Sequence, residues 1–474
     1  MKLPPQLYSA AQVRQLEGRL VAAGTSESAL MQRAGAAAYA CLRARWPAVK
    51  SIAVVCGGGN NGGDGHVVAC LAQQQGMAVR VLSADSDLRT QLQGCELIVD
   101  ALLGIGMRAP LSAGMVATIE AINSAGLPVL SIDLPSGLHP DTGRASPAVR
   151  AAATITFIAL KQGLFIGDGQ DYAGQLLFEP LLERGLEAAV GNDIGPALIR
   201  LTDADLARAL PPRPRQGHKG QFGKVVIVGG GIGMPGAVRL AAEAALRVGA
   251  GLVTVASRPE HLQVVGTRPE LMFHAISDGS DVGSAIAGAD VVLIGPGLGR
   301  DDWARQVLTT TLAQITARAR LVVDADALNL IAEGVSRQRD DHWILTPHPA
   351  EAARLLHVST ADVQVDRMLA LQTLCQQRGG TMVLKGANTL VGCATETPRI
   401  CDRGNPGMSV PGMGDVLGGA IAGILAQGCD PFLAALAAVF AHATAGDNCA
   451  RSGIRGIAAT DVALEMRTVL ADLP

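Results

Sequence analysis

The sequence predicts an α/β protein that is organised as two successive domains. Short apolar runs repeatedly end in glycine-rich or polar segments, and helical patterns of small residues follow them. Strands that alternate with helices in this way form parallel sheets covered by helices. The alternation restarts near a proline-rich segment at 210–218, and 474 residues are too many for one ordinary core. We therefore predict domains over residues 1–200 and 201–474.

Composition argues against several classes of function. The net charge is −3 without a long block of one sign, and aromatic residues make up only 3%, so we expect no nucleic-acid partner. No apolar run reaches the length of a membrane span, and the first residues lack the apolar core of a signal peptide. The nine cysteines form no CxxC pair. We expect a cytoplasmic protein with no membrane partner that forms a homo-oligomer.

The first half has the order of elements of a doubly wound, Rossmann-like domain. Two helices are predicted within residues 9–45, with Ser9 as the cap of the first. Strands are predicted at residues 51–56, 79–82, 97–101, 128–132 and 154–159. A glycine-rich loop at 57–65 follows the first of these strands, and a helix then continues to about residue 75. Polar residues lie where these strands end, at the sheet edge where doubly wound domains bind ligands.

The second half repeats this architecture without repeating the sequence. Strands are predicted at residues 224–228, 252–256, 291–294, 321–323, 344–346 and 382–384. Helices are predicted at residues 203–209, 238–248 and 416–426. Glycine-rich or polar loops again follow the strands, so ligands are expected at the same edge of this second sheet.

The densest glycine stretch of the chain, residues 404–419, leads into the predicted helix 416–426. Gly412, Gly414 and Asp415 therefore lie at a helix N-terminus, where free N–H groups and the helix dipole favour phosphate. An aspartate opposes anion binding there unless it takes a proton from a hydroxyl that reacts with the phosphate. The alternative is that Asp415 caps the helix, but a cap does not require so many glycines. We interpret Asp415 as a catalytic base beside a phosphate site.

Other polar residues of the second half also follow strands. His348 lies between two prolines, which predicts an exposed histidine that faces a ligand. Lys385 precedes a glycine, a setting that suits contact with a phosphate. Asp324, Asp326 and Asn329 could bind Mg²⁺ or substrate hydroxyls, or could cap the helix that follows them.

The glycine loop of the first half matches neither the GxGxxG fingerprint nor a P-loop. Asn61, Asp100 and Ser136 all lie at predicted strand ends and offer an amide oxygen, a carboxylate and a hydroxyl. Oxygen ligands of low total charge suit a monovalent or weakly held cation. The alternative is that Asn61 and Ser136 only brace turns.

Asp133 follows another predicted strand of the first half, next to the same group of loops. Its carboxylate could shuttle a proton, which makes it a candidate catalytic residue, or it could only begin a turn. Lys161 follows the next strand and could pair with it.

A series of short motifs identifies a resemblance to a known family. The first half contains LMxRAG at 30–35, GxGNNGGDG at 57–65, DALLGIG at 100–106 and DLPSG at 133–137. The second half contains HKGxFG at 218–223, MPGA at 234–237, AALRVGAGLVT at 244–254, GPGLG at 295–299, DADALN at 324–329, TPHPAE at 346–351, KGANT at 385–389 and GMGD at 412–415. In this order they resemble the bifunctional NAD(P)H-hydrate repair enzymes, in which an epimerase domain precedes an ADP-dependent dehydratase domain of ribokinase-like fold.

The resemblance implies a role for particular residues. In the epimerase half, contacts with NAD(P)H-hydrate would come from Asn60, Asn61, Gly62, Gly63, Asp64, Gly104, Ile105, Gly106, Met107, Arg108, Ala109, Pro110 and Asp133. Potassium would be held by Asn61, Asp100 and Ser136. In the dehydratase half, contacts with the hydrate would come from Ala237, Gly299, His348 and Asp415. Contacts with ADP or ATP would come from Lys385, Gly386, Ala387, Asn388, Thr389 and Gly414, and Mg²⁺ would assist.

The implied reaction is the repair of a reduced nicotinamide ring that carries a hydroxyl at C6. The epimerase would interconvert the two configurations, and the dehydratase would remove the hydroxyl from one of them after phosphoryl transfer. The alternative is a small-molecule kinase of ribokinase type with a non-catalytic nucleotide-binding module in front. The chain departs from the family at 409–412, where Pro411 replaces a small residue and is expected to stiffen the loop.

Overall fold

A computed structural model describes residues 3–84, 88–107, 109–182, 193–210, 212–336 and 340–471. The chain divides into two compact units, Met1–Ile199 and Arg200–Pro474. Among the helices of the described ranges, none combines the length and apolar character needed to span a bilayer.

The first unit alternates strands and helices along most of its length. Its strands are β1 (Gln6–Tyr8), β2 (Ser51–Cys56), β3 (Ala78–Ser83), β4 (Leu97–Ala101), β5 (Val129–Ile132), β6 (Ala153–Phe157), β7 (Leu160–Lys161) and β8 (Gln175–Glu179), and β9 (Leu198–Arg200) leads into the second unit. Its helices are α1 (Ala10–Ala22), α2 (Glu27–Arg45), α3 (Asn60–Gln74), α4 (Leu88–Gln91), α5 (Ala113–Ser124) and α6 (Gly169–Ala173).

The main sheet of the first unit is parallel throughout and has the strand order β3-β2-β4-β5-β6-β8. Its central strands are buried on both faces, as expected of a parallel sheet between helices. The chain therefore leaves β2, β4, β5 and β6 at one edge. The predicted first helix is present as α1, and Ser9 caps it as predicted. Ser9 forms a capping box with Gln12.

The predicted loop at 57–65 is wrong in its second part, because α3 already begins at Asn60. Glycine is a poor helix former, and the sequence therefore suggested a longer loop. Close packing overrides this preference. A Cβ atom on Gly62 would lie 1.9 Å from the carbonyl oxygen of Gly57, and one on Gly65 would lie 2.6 Å from the Cβ of Ala101. These glycines let the start of α3 press against the ends of β2 and β4.

The second unit continues the alternation of strands and helices. Its strands are β10 (Lys224–Val228), β11 (Leu252–Ser257), β12 (Met272–Ala275), β13 (Val291–Ile294), β14 (Arg320–Val323), β15 (Trp343–Leu345), β16 (Thr381–Leu384), β17 (Thr389–Gly392) and β18 (Arg399–Cys401). Its helices are α7 (Asp203–Ala209), α8 (Pro235–Arg247), α9 (Leu262–Val265), α10 (Val282–Ile286), α11 (Asp302–Gln314), α12 (Ala325–Ala332), α13 (Pro349–Leu356), α14 (Thr360–Val365), α15 (Arg367–Arg378), α16 (Met413–Leu425), α17 (Pro431–Cys449) and α18 (Ala459–Ala471).

The sheet of the second unit has the order β12-β11-β10-β13-β14-β15-β16-β17-β18. Strands β10 to β16 run parallel, whereas β17 and β18 pair antiparallel at one end. The sequence predicted the central strands but not β12, β17 or β18. The loops after β10, β13, β14, β15 and β16 consequently meet at one edge, where α16 also begins.

Helices α8 and α16 cross at unusually short range in the core of the second unit. A Cβ atom on Gly419 would lie 2.0 Å from the carbonyl oxygen of Ala241, and one on Gly423 would lie 2.7 Å from that of Ala245. Only glycine permits this approach of two helix backbones. The contact fixes the position of α16, including its first turn.

We predict that Gly419→Ala lowers the free energy of unfolding by about 3 kcal/mol, because the added methyl group must push α16 away from α8. Urea denaturation measures this change. Gly236→Ala is the matched control, since Gly236 lies in α8 with open space where its Cβ would be. Equal stabilities of the two variants would contradict the packing described here.

Candidate active sites at the strand ends of the two units

Lys385 is the centre of the candidate site in the second unit. Its Nζ lies 2.6 Å from Asp324 Oδ1 and 3.9 Å from Glu351 Oε2. Thr346 donates a hydrogen bond of 2.7 Å to the same Asp324 oxygen. Burial lowers the pKa of Lys385, but the Asp324 and Glu351 carboxylates outweigh this effect, so its pKa is raised. Lys385 is therefore a cation that links residues following β14, β15 and β16.

For Asp324, the structure distinguishes between a side chain that caps α12 and one that faces the site. It occupies the N-cap position of α12, yet its side chain makes no capping hydrogen bond. The carboxylate points instead to Lys385 and Thr346 and is 1% exposed. The expectation that it caps the helix is therefore wrong for the side chain of Asp324.

The first turn of α16 faces Lys385. Gly412 is the N-cap, with φ of 89° in the left-handed region, and the first helical hydrogen bond runs from Val416 N–H to Gly412 O. The N–H groups of Met413, Gly414 and Asp415 therefore have no acceptor within the helix. A Cβ atom on Gly414 would lie 3.5 Å from Lys385 Nζ. The positive charge of Lys385 therefore lies next to these N–H groups.

Asp415 is the third residue of α16 and not its cap, which rules out the capping alternative. Its carboxylate hydrogen-bonds to no side chain or backbone group of the described residues. Burial and the negative charge of Asp324 raise the pKa of Asp415 to about 7. A carboxylate with this pKa is suited to exchange a proton near neutral pH.

His348 and Glu351 form the next part of this edge. The His348 side chain is 47% exposed, and its Nδ1 accepts hydrogen bonds from the N–H groups of Ala350 and Glu351. Its Nε2 lies 3.2 Å from Glu351 Oε1. Burial raises the pKa of Glu351 and lowers that of His348. The imidazole is thus exposed as predicted, and it also caps α13, which the sequence analysis did not foresee.

Gly299 lies in the loop after β13, and Ala237 lies in the first turn of α8. Asp326 accepts a hydrogen bond of 2.8 Å from the Gly299 N–H, and Gly299 has φ of 80°. The loop that ends at Gly299 packs on the start of α8, since Cβ atoms on Gly297 and Ala237 would be 3.0 Å apart. Asp326 thus orders a candidate substrate-binding loop.

The segment Lys385 to Thr389 is the turn between β16 and β17. Gly386 and Ala387 are exposed, whereas Asn388 is buried and has φ of 60°. Thr389 Oγ1 donates a hydrogen bond to Gly386 O. The turn presents the backbone of its first residues, together with Lys385, to the edge where α16 begins.

In the first unit, Asp133 and Lys161 form a buried ion pair. Lys161 is 1% exposed and also donates hydrogen bonds to Thr156 Oγ1 and to the carbonyl oxygen of Phe157. Asp133 has φ of 68°, a conformation that a residue with a side chain rarely adopts. The predicted pairing of these two residues is present in the structure.

Asp100 and Ser136 meet in the same unit, inside a network that satisfies the carboxylate. Asp100 accepts hydrogen bonds of 2.6–3.3 Å from the hydroxyls of Ser131 and Ser136 and from the N–H groups of Leu102 and Ser136. Burial nevertheless raises the pKa of Asp100. Ser136 thus braces a turn, which was the alternative to cation binding. Its hydroxyl oxygen also lies next to the Asp100 carboxylate.

Asn61 differs from both, because within the described ranges its buried amide has no hydrogen-bond partner on either Oδ1 or Nδ2. Its Cβ lies 3.5 Å from the point where a Cβ on Gly104 would be, and Asp133 Oδ2 lies 3.2 Å from that point. The structure therefore brings Asn61, Gly104 and Asp133 together. A buried amide without hydrogen bonds requires a ligand, an ion or a water to offset its desolvation.

The remaining candidates of the first unit lie around this group. Asp64 lies one helical turn after Asn60 and Asn61, and burial together with the charges of Asp133 and Glu17 raises its pKa to about 8. Gly104 to Met107 form a turn closed by a hydrogen bond from Met107 N–H to Gly104 O. Of the predicted substrate-binding segment, Arg108 lies outside the described residues.

No site role was predicted from the sequence for Thr346, Glu351, Glu17 or Arg367. Thr346 and Glu351 lie in the motif TPHPAE, and only the fold shows that they contact Asp324 and Lys385. Position after a strand is a signal that could have identified Thr346.

We predict that Asp133→Asn lowers the free energy of unfolding by ~3 kcal/mol, because it leaves the buried Lys161 ammonium without a carboxylate. Adding Lys161→Met should restore most of the loss, and urea denaturation measures both. Asp193→Asn is the control, since the ion pair of Asp193 with Arg19 is exposed and its loss should leave stability unchanged. If Asp133→Asn behaves like this control, the buried pair does not stabilise the unit.

Comparison with known proteins finds a family for each unit. The family model described as NAD(P)H-hydrate dehydratase matches residues 225–467, and the one described as YjeF-related protein N-terminus matches residues 27–87 and 81–163. A bifunctional NAD(P)H-hydrate repair enzyme of Coxiella burnetii is 44% identical to this chain. The alignment covers 98% of this chain and 99% of the Coxiella enzyme.

Two solved structures resemble the second unit. A ribokinase-like superfamily protein of Enterococcus faecalis is 32% identical with a TM-score of 0.55, over 58% of this chain and 96% of its own. An ADP/ATP-dependent NAD(P)H-hydrate dehydratase of Bacillus subtilis, co-crystallised with ATP and Mg²⁺, is 25% identical with a TM-score of 0.51, over 56% and 96%. The predicted fold class, a Rossmann-like domain followed by a ribokinase-like domain, is confirmed. The chain belongs to the family of bifunctional NAD(P)H-hydrate repair enzymes.

Proposed function

We propose that this chain repairs hydrated nicotinamide cofactors with one activity in each unit. The first unit interconverts the R and S forms of NAD(P)H-hydrate, and the second dehydrates the S form to NAD(P)H at the expense of ADP or ATP. One observation carries the proposal for the second unit. The Asp415 carboxylate lies in a helix turn with free N–H groups that faces the ammonium group of Lys385.

The second unit has the groups that phosphoryl transfer to a hydroxyl requires. The terminal phosphate of the nucleotide lies on the N–H groups of Met413, Gly414 and Asp415, and Lys385 balances its charge. Asp415 takes the proton of the C6 hydroxyl as that oxygen attacks the phosphorus. The bond from phosphorus to the departing AMP, or ADP when ATP is used, breaks in the same step. The C–O bond to phosphate then breaks with electrons from the ring nitrogen, phosphate leaves, a proton passes from C5 to water, and the ring double bond returns. His348, Gly299 and Ala237 contact the hydrate, while Lys385–Thr389 and Gly414 contact the nucleotide.

Mg²⁺ fits this site as an ion that arrives with the nucleotide. Within the described part of the chain, no three His, Cys, Asp or Glu side chains are grouped to hold a metal ion. Asp324 already accepts hydrogen bonds from Lys385 and Thr346. Mg²⁺ commonly binds through phosphates, waters and one or two carboxylates, and it would neutralise charge on the transferring group.

In the first unit, Asp64 and Asp133 are close enough to interact electrostatically, and Asp133 lies beside Gly104 of the proposed hydrate-binding loop. Asp64 is protonated at neutral pH because its pKa lies near 8, so it can give a proton to the departing C6 hydroxyl. Water then adds to either face of the ring at C6 and returns a proton to the Asp64 carboxylate, which yields both configurations, with Asp133 paired to Lys161. K⁺ fits Asn61, whose amide oxygen has no partner among the described residues and is a ligand that such an ion needs. Asp100 and Ser136, which contact each other, would supply the other two ligands.

We predict that Asp415→Asn retains ADP binding and loses dehydration by several orders of magnitude, because the hydroxyl proton then has no acceptor. The measurement uses a mixture of both epimers with and without ADP and follows recovery of reduced-nicotinamide absorbance and release of free phosphate. In the wild type below pH 7, where Asp415 takes up a proton, the dehydration rate should fall about tenfold per pH unit.

Asp430→Asn serves as the control, since Asp430 caps α17 through the N–H groups of Phe432 and Leu433. It should leave dehydration unchanged. Near-normal turnover in Asp415→Asn removes Asp415 as the base. A stable phosphorylated product without recovered absorbance favours the small-molecule kinase.

We predict that K⁺ raises the thermal unfolding midpoint of the first unit and the epimerisation rate, whereas tetramethylammonium at equal ionic strength does not. Asn61→Leu should abolish both responses, because it removes the unpartnered amide while keeping a similar volume. In a mixed-epimer assay with ADP, only the slow second phase should respond. Equal responses to the two cations would show that no site for K⁺ exists in this unit.

A further inference from the structure

Arg367 is a buried arginine directly behind the turn that is proposed to bind the nucleotide. It is the first residue of α15 and is 4% exposed. Its Nη2 donates hydrogen bonds of 3.2 Å to the carbonyl oxygens of both Leu384 and Lys385, and its Nη1 donates one of 3.0 Å to Gln364 Oε1. Its Nε is buried and has no hydrogen-bond partner in the part of the chain that the structure describes.

The charge of Arg367 has no counter-ion among the residues that the structure describes. Burial lowers the pKa of Arg367 to about 10, so it stays protonated at neutral pH. A buried arginine is normally paired with a carboxylate, because desolvation of the cation is costly. The buried Lys161 and the partly buried Lys385 behave in this normal way, since Lys161 pairs with Asp133 and Lys385 pairs with Asp324. Arg367 therefore leaves net positive charge behind the turn.

The hydrogen bonds of Arg367 also fix the direction of one peptide group. In a planar trans peptide the C=O and the following N–H point in opposite directions. Since the Lys385 carbonyl points to Arg367, the Gly386 N–H points away from it, and this N–H has no acceptor within the described ranges. Gly386 has φ of 139°, and a Cβ there would lie 3.1 Å from Arg367 Nη1. The guanidinium thus packs directly under this glycine.

We infer that Arg367 is a positioning residue for the nucleotide site of the second unit. It holds the Lys385–Gly386 peptide so that the Gly386 N–H faces the nucleotide, and its uncompensated charge attracts the polyphosphate from behind the turn. The ligand class is a nucleoside diphosphate or triphosphate. The inference rests on the proposed function of the second unit, and it adds a residue outside every motif on which that function depends.

We predict that Arg367→Lys raises the KM for ADP at least tenfold, with a smaller change in kcat and an unchanged KM for the hydrate. Lysine keeps the charge but cannot donate to two carbonyl oxygens in one plane, so Arg367→Met should have a larger effect. Titration calorimetry with ADP should show the same weakening of Kd. Epimerisation by the first unit should be unchanged in both variants.

Arg378→Lys is the matched control, because Arg378 ends the same helix and donates a hydrogen bond of 3.0 Å to Leu355 O, away from the turn. It should leave the KM for ADP unchanged. A wild-type Kd and KM for ADP in Arg367→Lys, or an equal weakening in Arg378→Lys, would overturn the inference. If Arg367→Met does not fold, Arg367→Lys decides. If the wild type binds ADP but does not dehydrate the hydrate, the proposed function fails, while calorimetry still tests the role of Arg367.

Discussion

The ion pair between Lys385 and Asp324 is the interaction on which the second site depends. It joins the ends of β14 and β16, and Thr346 adds the end of β15 through its bond to the same oxygen. The single ammonium also lies close to Glu351 and to the first turn of α16. Several carboxylates can therefore share a confined edge only because this cation offsets their repulsion. Burial, together with the negative charge of Asp324, raises the pKa of Asp415.

The first unit also places a lysine and a carboxylate together among other acidic groups. Lys161 is more deeply buried than Lys385 and is held by one carboxylate, a hydroxyl and a carbonyl oxygen. Asp133 pairs with it, whereas Asp64 and Glu17 lie near the pair, and burial raises the pKa of each of these two. In the proposed function, one unit would thus use a carboxylic acid as a proton donor, and the other would use a carboxylate near neutral pH as a proton acceptor.

The sequence predicted those parts of the fold that depend on local patterns. The bounds of strands β2 and β10 were predicted to the residue. A short apolar run that is followed directly by glycines is typical of a buried strand that ends at a loop. The start of α3 was missed because the packing of Gly62 against Gly57 outweighs helix propensity, and packing cannot be seen in a local pattern.

The same limit applies to the sites. Lys385 and Asp415 were identified because glycines surround them in the sequence. Arg367 was missed because its partners, the carbonyl oxygens of Leu384 and Lys385, become neighbours only after folding. The buried and unpartnered amide of Asn61 likewise becomes visible only when the surrounding elements are packed.

The glycine contact between α8 and α16 has a thermodynamic consequence for ligand binding. Because Gly419 and Gly423 lock the two helix backbones together, the three free N–H groups of α16 are fixed before any ligand arrives. Binding then loses little conformational entropy in the protein, so more of the interaction energy with phosphate appears as affinity. If α16 binds phosphate as proposed, the site would work at low nucleotide concentration without a closing movement of this helix.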